Sequence, residues 1–237
     1  MRKNISAPLR NGVSSLKNKA KEKLSSWFDG KTALTTLFAG SIVSANILAS
    51  KIAMFDIPLI GSAAAPAGFV ALGGAFLFSD GLSELYGPEA AHKAVNGTVI
   101  AVLASLGLIH ASVAMPAAPF YEFAQEYETI LLSGTSISLA SVTTMLVSQN
   151  LDVTIFHKLK ESGLPKWVRN VGSTVTSQLV DTVLFIGLAF AVLPHIFDGT
   201  LTPLAALPSL IISQYVLKVG VALLDTPLFY ALTAGSE

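Results

Sequence analysis

Two carboxylates stand four residues apart in an otherwise apolar stretch, Asp80 and Glu84. On a helix this spacing puts both on one face. Like charges so close repel, so the pair needs a cationic ligand, a Lys or Arg from another helix, or a shared proton. The alternative places the pair in water at a cytoplasmic mouth. A second constellation is Gln178 and Asp181, three apart, with Thr174 and Ser177 extending the polar stripe. Lys218 follows Gln214 by one helical turn. An amide and a carboxylate at such spacing suit the edge of a planar heterocycle: the carboxylate accepts from adjacent N–H groups, and the amide both donates and accepts. Asn46 and Lys51 are further candidates, but they lie about 140° apart around a helix, so they share a partner only if that helix distorts.

The surroundings make these residues expensive. Of 237 residues, 52% are hydrophobic and only 13% charged, with a mean hydropathy of +0.63. Globular domains carry about 25% charged residues. A soluble core could not hide such an excess of apolar side chains, because the exterior must still be polar. The absence of Cys excludes a disulfide scaffold, and the net charge of zero argues against a nucleic-acid binder. The composition is that of a membrane protein, with the lipid bilayer as its first partner.

A membrane helix needs about 20 apolar residues, and six runs qualify: Ala33–Phe55, Pro66–Tyr86, Ala90–Met115, Thr129–Phe156, Val171–Leu193 and Leu204–Tyr230. Gly87-Pro88 stops the second, and Pro116 with Pro119 stops the third. The expected fold is an all-α membrane protein of six transmembrane helices, residues 33–237, preceded by a basic amphipathic segment, residues 1–32. In that segment Ile5, Leu9, Val13, Leu16, Ala20, Leu24 and Phe28 recur every three or four residues, with Lys on the other face. The pattern reads as a helix lying on the anionic inner leaflet, or else as a disordered basic tail that only sets topology.

Placement of the charges gives orientation. Eight of the 15 Lys and Arg precede residue 32, and Lys93, Lys158, Lys160, Lys166 and Arg169 fall on the same side of a six-span arrangement. The opposite loops carry Asp56, Glu122, Glu126, Glu128 and Asp198. The positive-inside rule then puts both termini in the cytoplasm of a multi-pass cell-membrane protein, with Trp27 and Trp167 as inner anchors and Tyr121 and Tyr127 as outer ones. Inside the bilayer remain Lys51, Asp80, Glu84, Asp181 and Lys218, with Asp152 and Asp225 nearby. Each costs ~2.5–3.5 kcal/mol on insertion scales, so such residues line cavities or form pairs. Asp181 lies ~15 Å along span five and Lys218 ~20 Å along span six, so the two are expected to meet each other or a shared ligand near the midplane. The plainer reading is a structural ion pair.

An internal echo is present: Ser148-Gln149-x-x-Asp152-x-x-x-Phe156 matches Ser177-Gln178-x-x-Asp181-x-x-x-Phe185. It only hints at an inverted repeat. Enzyme readings lack support: no H-E-x-x-H, no Cys, no G-x-S-x-G and no P-loop is present, and His92, His110, His157 and His195 are scattered. No metal or cofactor is expected.

Five blocks in order resemble the queuosine precursor transporters, a family of vitamin uptake transporter-like proteins. They are Ala45-Asn46-Ile47-Leu48-Ala49-Ser50-Lys51; Phe76-Leu-Phe-Ser-Asp80 with Glu84-Leu-Tyr-Gly87; Gln149, Asp152 and Phe156 with Lys158 and Lys160; Trp167, Arg169, Ser173-Thr174, Gln178 and Asp181-Thr182; and Lys218 with Thr226-Pro227 and Tyr230. The resemblance implies a six-helix fold and uptake of a small planar base, a 7-deazaguanine precursor such as the cyano or aminomethyl form. In that reading Asp181 or Asp80 grips the guanine-like N–H edge, Gln178 and Asn46 orient it, and Phe76 or Phe185 stacks on it. The long basic tail departs from the family pattern. Other readings stay open: a vitamin-binding component that needs a separate ATPase module, a non-transporting scaffold or homo-oligomer, and, least supported, a membrane enzyme.

Overall fold

A computed structural model describes residues 29–57, 61–133, 135–193 and 204–234. The basic N-terminal segment up to residue 28, with Trp27, and residues 194–203, with His195 and Asp198, lie outside the described residues. Helix α1 (Gly30–Leu48) begins where the Asp29 carboxylate accepts a hydrogen bond from the Thr32 amide, an N-cap that also holds this carboxyl below its usual pKa. It is followed by strands β1 (Ile52–Ile57) and β2 (Gly61–Pro66), then α2 (Phe69–Tyr86), α3 (Pro88–Val113), α4 (Ala124–Ser133), α5 (Thr135–Glu161), α6 (Lys166–Ile186) and α7 (Leu207–Leu232).

The fold is mainly helical rather than wholly so. The first apolar run was expected to stay helical through Phe55, yet its helix stops at Leu48 and the chain enters an antiparallel hairpin in the register Ile52↔Pro66 to Ile57↔Gly61. The segment Ile-Ala-Met-Phe-Asp-Ile is rich in β-branched and aromatic residues, and so short an apolar run fits a strand as well as a helix. The fourth run is helical in both described parts, α4 up to Ser133 and α5 from Thr135. Between α2 and α3 the chain turns on Gly87, whose φ of 82° is left-handed, and Pro88 starts the next helix with its φ already set. Beyond α6 the chain continues as a π-helical stretch, Gly187–Val192, and a 3₁₀ turn, Leu204–Ala206, leads into α7.

Among the described residues, four helical stretches are long and apolar enough to cross a membrane by length and composition: Pro88–Val113, Ala124–Glu161, Lys166–Val192 and Leu204–Leu232. Six helices close a ring in the order α1, α2, α7, α6, α5, α3 and back to α1. On the α1–α2–α3–α5 side the interior is apolar, with Phe38, Ile42, Leu82, Val95 and Val153 buried together. On the α5–α6–α7 side it is polar, holding Gln149, Asp152, Asn170, Ser177, Gln178, Gln214 and Lys218. The exterior is the reverse: Ile100, Leu108 and Leu224 are each at least 69% exposed. Apolar outside and polar inside is the arrangement that lipid selects, since hydrocarbon leaves polar groups unsatisfied.

One end of the ring is basic. The start of α1 reaches the end of α2 there, since a Cβ on Gly30 would strike the Tyr86 hydroxyl. Lys166 Nζ donates to the Thr233 carbonyl at 3.3 Å, joining the start of α6 to the end of α7. Lys93, Lys158, Lys160, Lys166 and Arg169 therefore gather at one end, and the hairpin lies at the other.

Candidate functional site

The polar side of the ring opens into a cavity of about 100 Å³. That is several times the ~10–15 Å³ that one water needs on the same measure. Helix α6 places Gln178, Asp181 and Phe185 on one face, at steps of three and four residues. Helix α7 adds Gln214 and Lys218, α1 adds Asn46, and α2 adds Phe76. Helix α5 contributes Thr144, Met145 and Gln149.

Lys218 and Asp181 meet here, with Nζ to Oδ2 at 2.5 Å. The second carboxylate oxygen accepts from Ser148 Oγ at 2.7 Å, so α5, α6 and α7 are tied through one aspartate. Gln178 is 2% exposed and Gln149 4%, and no described residue hydrogen-bonds Gln149 Oε1. An unsatisfied buried amide beside a cavity is an acceptor ready for a ligand N–H. Asn46 Nδ2 is engaged by the Ile42 carbonyl at 2.9 Å. Phe185 is braced edge-on by Phe190, 6.4 Å away in the π-helical stretch. Phe76 is buried on the opposite helix. Amides, an ion pair and aromatic rings lining one cavity can take the edge and the face of a flat, polar molecule.

Three of the expected site residues do not line this cavity. Lys51 lies beyond the end of α1 at the foot of the hairpin, is exposed, and does not line the cavity. Its offset from Asn46 is therefore not a helical angle at all, because the helix has already ended. Asp80 and Glu84 lie towards the basic end, below the cavity, and neither sits in water. Glu84 Oε2 is held by Arg169 Nη1 at 3.0 Å and Lys160 Nζ at 3.1 Å, so cations from α5 and α6 balance it. Lys160 also donates to the Glu84 carbonyl at 2.8 Å. Asp80 is wholly buried.

Two cavity residues, Gln149 and Gln214, carry no charge and so escape a search for costly charges. Gln149 was visible through the family resemblance and through the internal echo, which now has a physical meaning. Helices α5 and α6 run antiparallel, and each copy's serine serves the other's aspartate. Ser148 Oγ donates to Asp181, while Ser177 Oγ donates to Asp152 at 2.9 Å. The two Ser-Gln-x-x-Asp segments thus form one reciprocal clasp.

A ring of helices with an apolar exterior around a polar cavity defines a polytopic membrane protein. The chain belongs to the family described as "Putative vitamin uptake transporter", which it matches over residues 66–232. It is similar to the "Probable queuosine precursor transporter" of Bacillus subtilis (strain 168), with 31% identity over 206 residues, 85% of this chain and 84% of that protein. No solved structure matches it.

Proposed function

We propose that this chain imports a queuosine or archaeosine precursor across the cell membrane, as a 7-deazaguanine base in the cyano or aminomethyl form. The observation that carries the reading is the cavity, lined by the amides of Gln149, Gln178 and Gln214, the Lys218–Asp181 pair and the rings of Phe76 and Phe185. A guanine-like edge presents adjacent N–H donors and a carbonyl. The carboxylate and free amide oxygen match the donors, and the ammonium matches the carbonyl. Asn46 orients the ring from α1. The name of the B. subtilis relative points to the same solute class. In this reading α1 and α2 also cross the bilayer, making six spans with both termini cytoplasmic and the basic N-terminal segment on the inner leaflet. No ATP-hydrolysing motif is present in the sequence, so the energy comes from a gradient, from metabolic trapping or from another subunit.

The test is uptake in a strain unable to make the precursor, scored as modified base in tRNA. Expression should restore modification from supplied base, and failure with every precursor form would remove the substrate assignment. In the same assay Asp181→Asn keeps the volume and removes the charge. It should reduce uptake about tenfold or more, the loss of one charged hydrogen bond of ~1.5–3 kcal/mol. Unchanged uptake would eliminate Asp181 as a gripping residue.

A further inference from the structure

One turn below the cavity lies a second polar cluster that base binding does not use. Its carboxylates come from three helices: Asp80 of α2, Asp152 of α5 and Asp225 of α7, all at most 5% exposed. Asp152 Oδ1 accepts from Ser177, and Asp225 Oδ1 accepts from Asn170 Nδ2 at 3.3 Å. No N–H or hydroxyl of a described residue donates to either oxygen of Asp80 or to Asp225 Oδ2. Asn170, 1% exposed and touching Asp225, has an Oδ1 that is likewise without a donor. Asp80 and Asp152 lie on α2 and α5 between two levels at which these helices meet, the cavity wall with Phe76 and Gln149 above and the Glu84–Lys160 pair below. A carboxyl as deeply buried as Asp80, with neither a donor nor a cation, is accommodated by holding a proton, which a neighbouring carboxylate can accept in a hydrogen bond.

The cations that face this region are committed elsewhere. Arg169 and Lys160 hold Glu84, Lys166 reaches the Thr233 carbonyl, and Lys218 holds Asp181. The reciprocal clasp between α5 and α6 makes the contrast sharp. Of its two equivalent aspartates, Asp181 receives a fixed cation from α7, while Asp152 faces another acid from α2.

We propose that Asp80 and Asp152, flanked by Asp225, form a proton-binding site whose loading and release is coupled to passage of solute through the cavity above. The coupling rests on the transport reading, whereas the proton site itself does not. With the proton present, one carboxyl donates to the other and α2 is held against α5. When it leaves, two charges face each other beside a third with no cation between them, and the contact must open. Release to one side and rebinding from the other then alternates the packing of α2 on α5 directly beneath Phe76 and Gln149.

Two measurements on the full-length protein in liposomes test this. Infrared difference spectra across a pH titration should show the C=O stretch of a buried protonated carboxyl, lost in Asp80→Asn and in Asp152→Asn. These variants remove the proton pair from opposite helices, so misfolding of one leaves the other, and the wild-type spectrum needs neither. Absence of the band in folded wild-type protein overturns the site. Uptake of the precursor base should be stimulated by an inward proton gradient and lose that stimulation in either variant, while base binding to the detergent-solubilised variants persists because neither residue lines the cavity. Stimulation by a sodium gradient instead, or indifference to both gradients, overturns the coupling. If wild-type protein transports no precursor base at all, the transport reading fails, and the infrared result still decides the proton site.

Discussion

At the residue scale, the energetics of this interior turn on who faces each buried charge. Glu84 is held by two cations from neighbouring helices, and Arg169 also lies 6.0 Å from the centre of the Phe156 ring. Removing one member of a buried pair strands the other, at a cost of about 3–5 kcal/mol. Glu84→Gln should therefore lower the thermal unfolding temperature in detergent by several degrees, more than Glu84→Gln combined with Arg169→Met. An equal fall in both would show that the pair contributes little beyond packing. Depth in an apolar run identifies a costly charge, but not its partner. Asp80 and Asp181 looked alike in sequence because each is an acid deep in an apolar run, and only the packing gives one an ammonium and leaves the other without a cation. Arg169 and Lys160 were read as inner-face charges that set topology, so their second role against Glu84 was hidden.

At the element scale, close approach of α1 and α2 shapes the wall of the cavity. A Cβ at Gly68 would collide with the Ala45 carbonyl oxygen, one residue from Asn46. Backbone cannot yield as a side chain can, so Gly68→Val should force the start of α2 away from α1. The expected outcome is reduced uptake together with a destabilised protein, of order 1–3 kcal/mol by the usual cost of overpacking. Thermal unfolding and uptake of the variant check this, and wild-type behaviour in both would show that the hairpin absorbs the strain. Helix ends were legible where chemistry marks them: Gly87-Pro88 closes α2 and opens α3, as read. They were not legible after Leu48, where no Pro or Gly interrupts the apolar run nearby and tertiary packing decides between helix and strand.

At the scale of the whole molecule, the grouping of Lys93, Lys158, Lys160, Lys166 and Arg169 at one end of the ring is what the uneven charge pattern demands. The native chain has no Cys, so a single introduced thiol reports its own exposure. Ser162→Cys, in the turn between α5 and α6 at the basic end, should resist a membrane-impermeant maleimide in intact cells. Ala118→Cys, between α3 and α4, should react. The opposite pattern would invert the proposed orientation. The ring was accessible to sequence reasoning only as a count of spans, because which helix neighbours which depends on side-chain fit that hydropathy does not encode.

The Lys218–Asp181 pair has one more consequence. Its two charges cancel, so the cavity is electrically neutral before solute arrives. A neutral cyano base then adds no charge to the moving part of the protein, whereas an aminomethyl base carrying an ammonium adds one. Moving one elementary charge across the membrane is worth ~2.3 kcal/mol per 100 mV. An inside-negative potential imposed on liposomes should therefore draw in the aminomethyl form more strongly than the cyano form, and the membrane's voltage would choose between two solutes that the walls of the cavity hold alike.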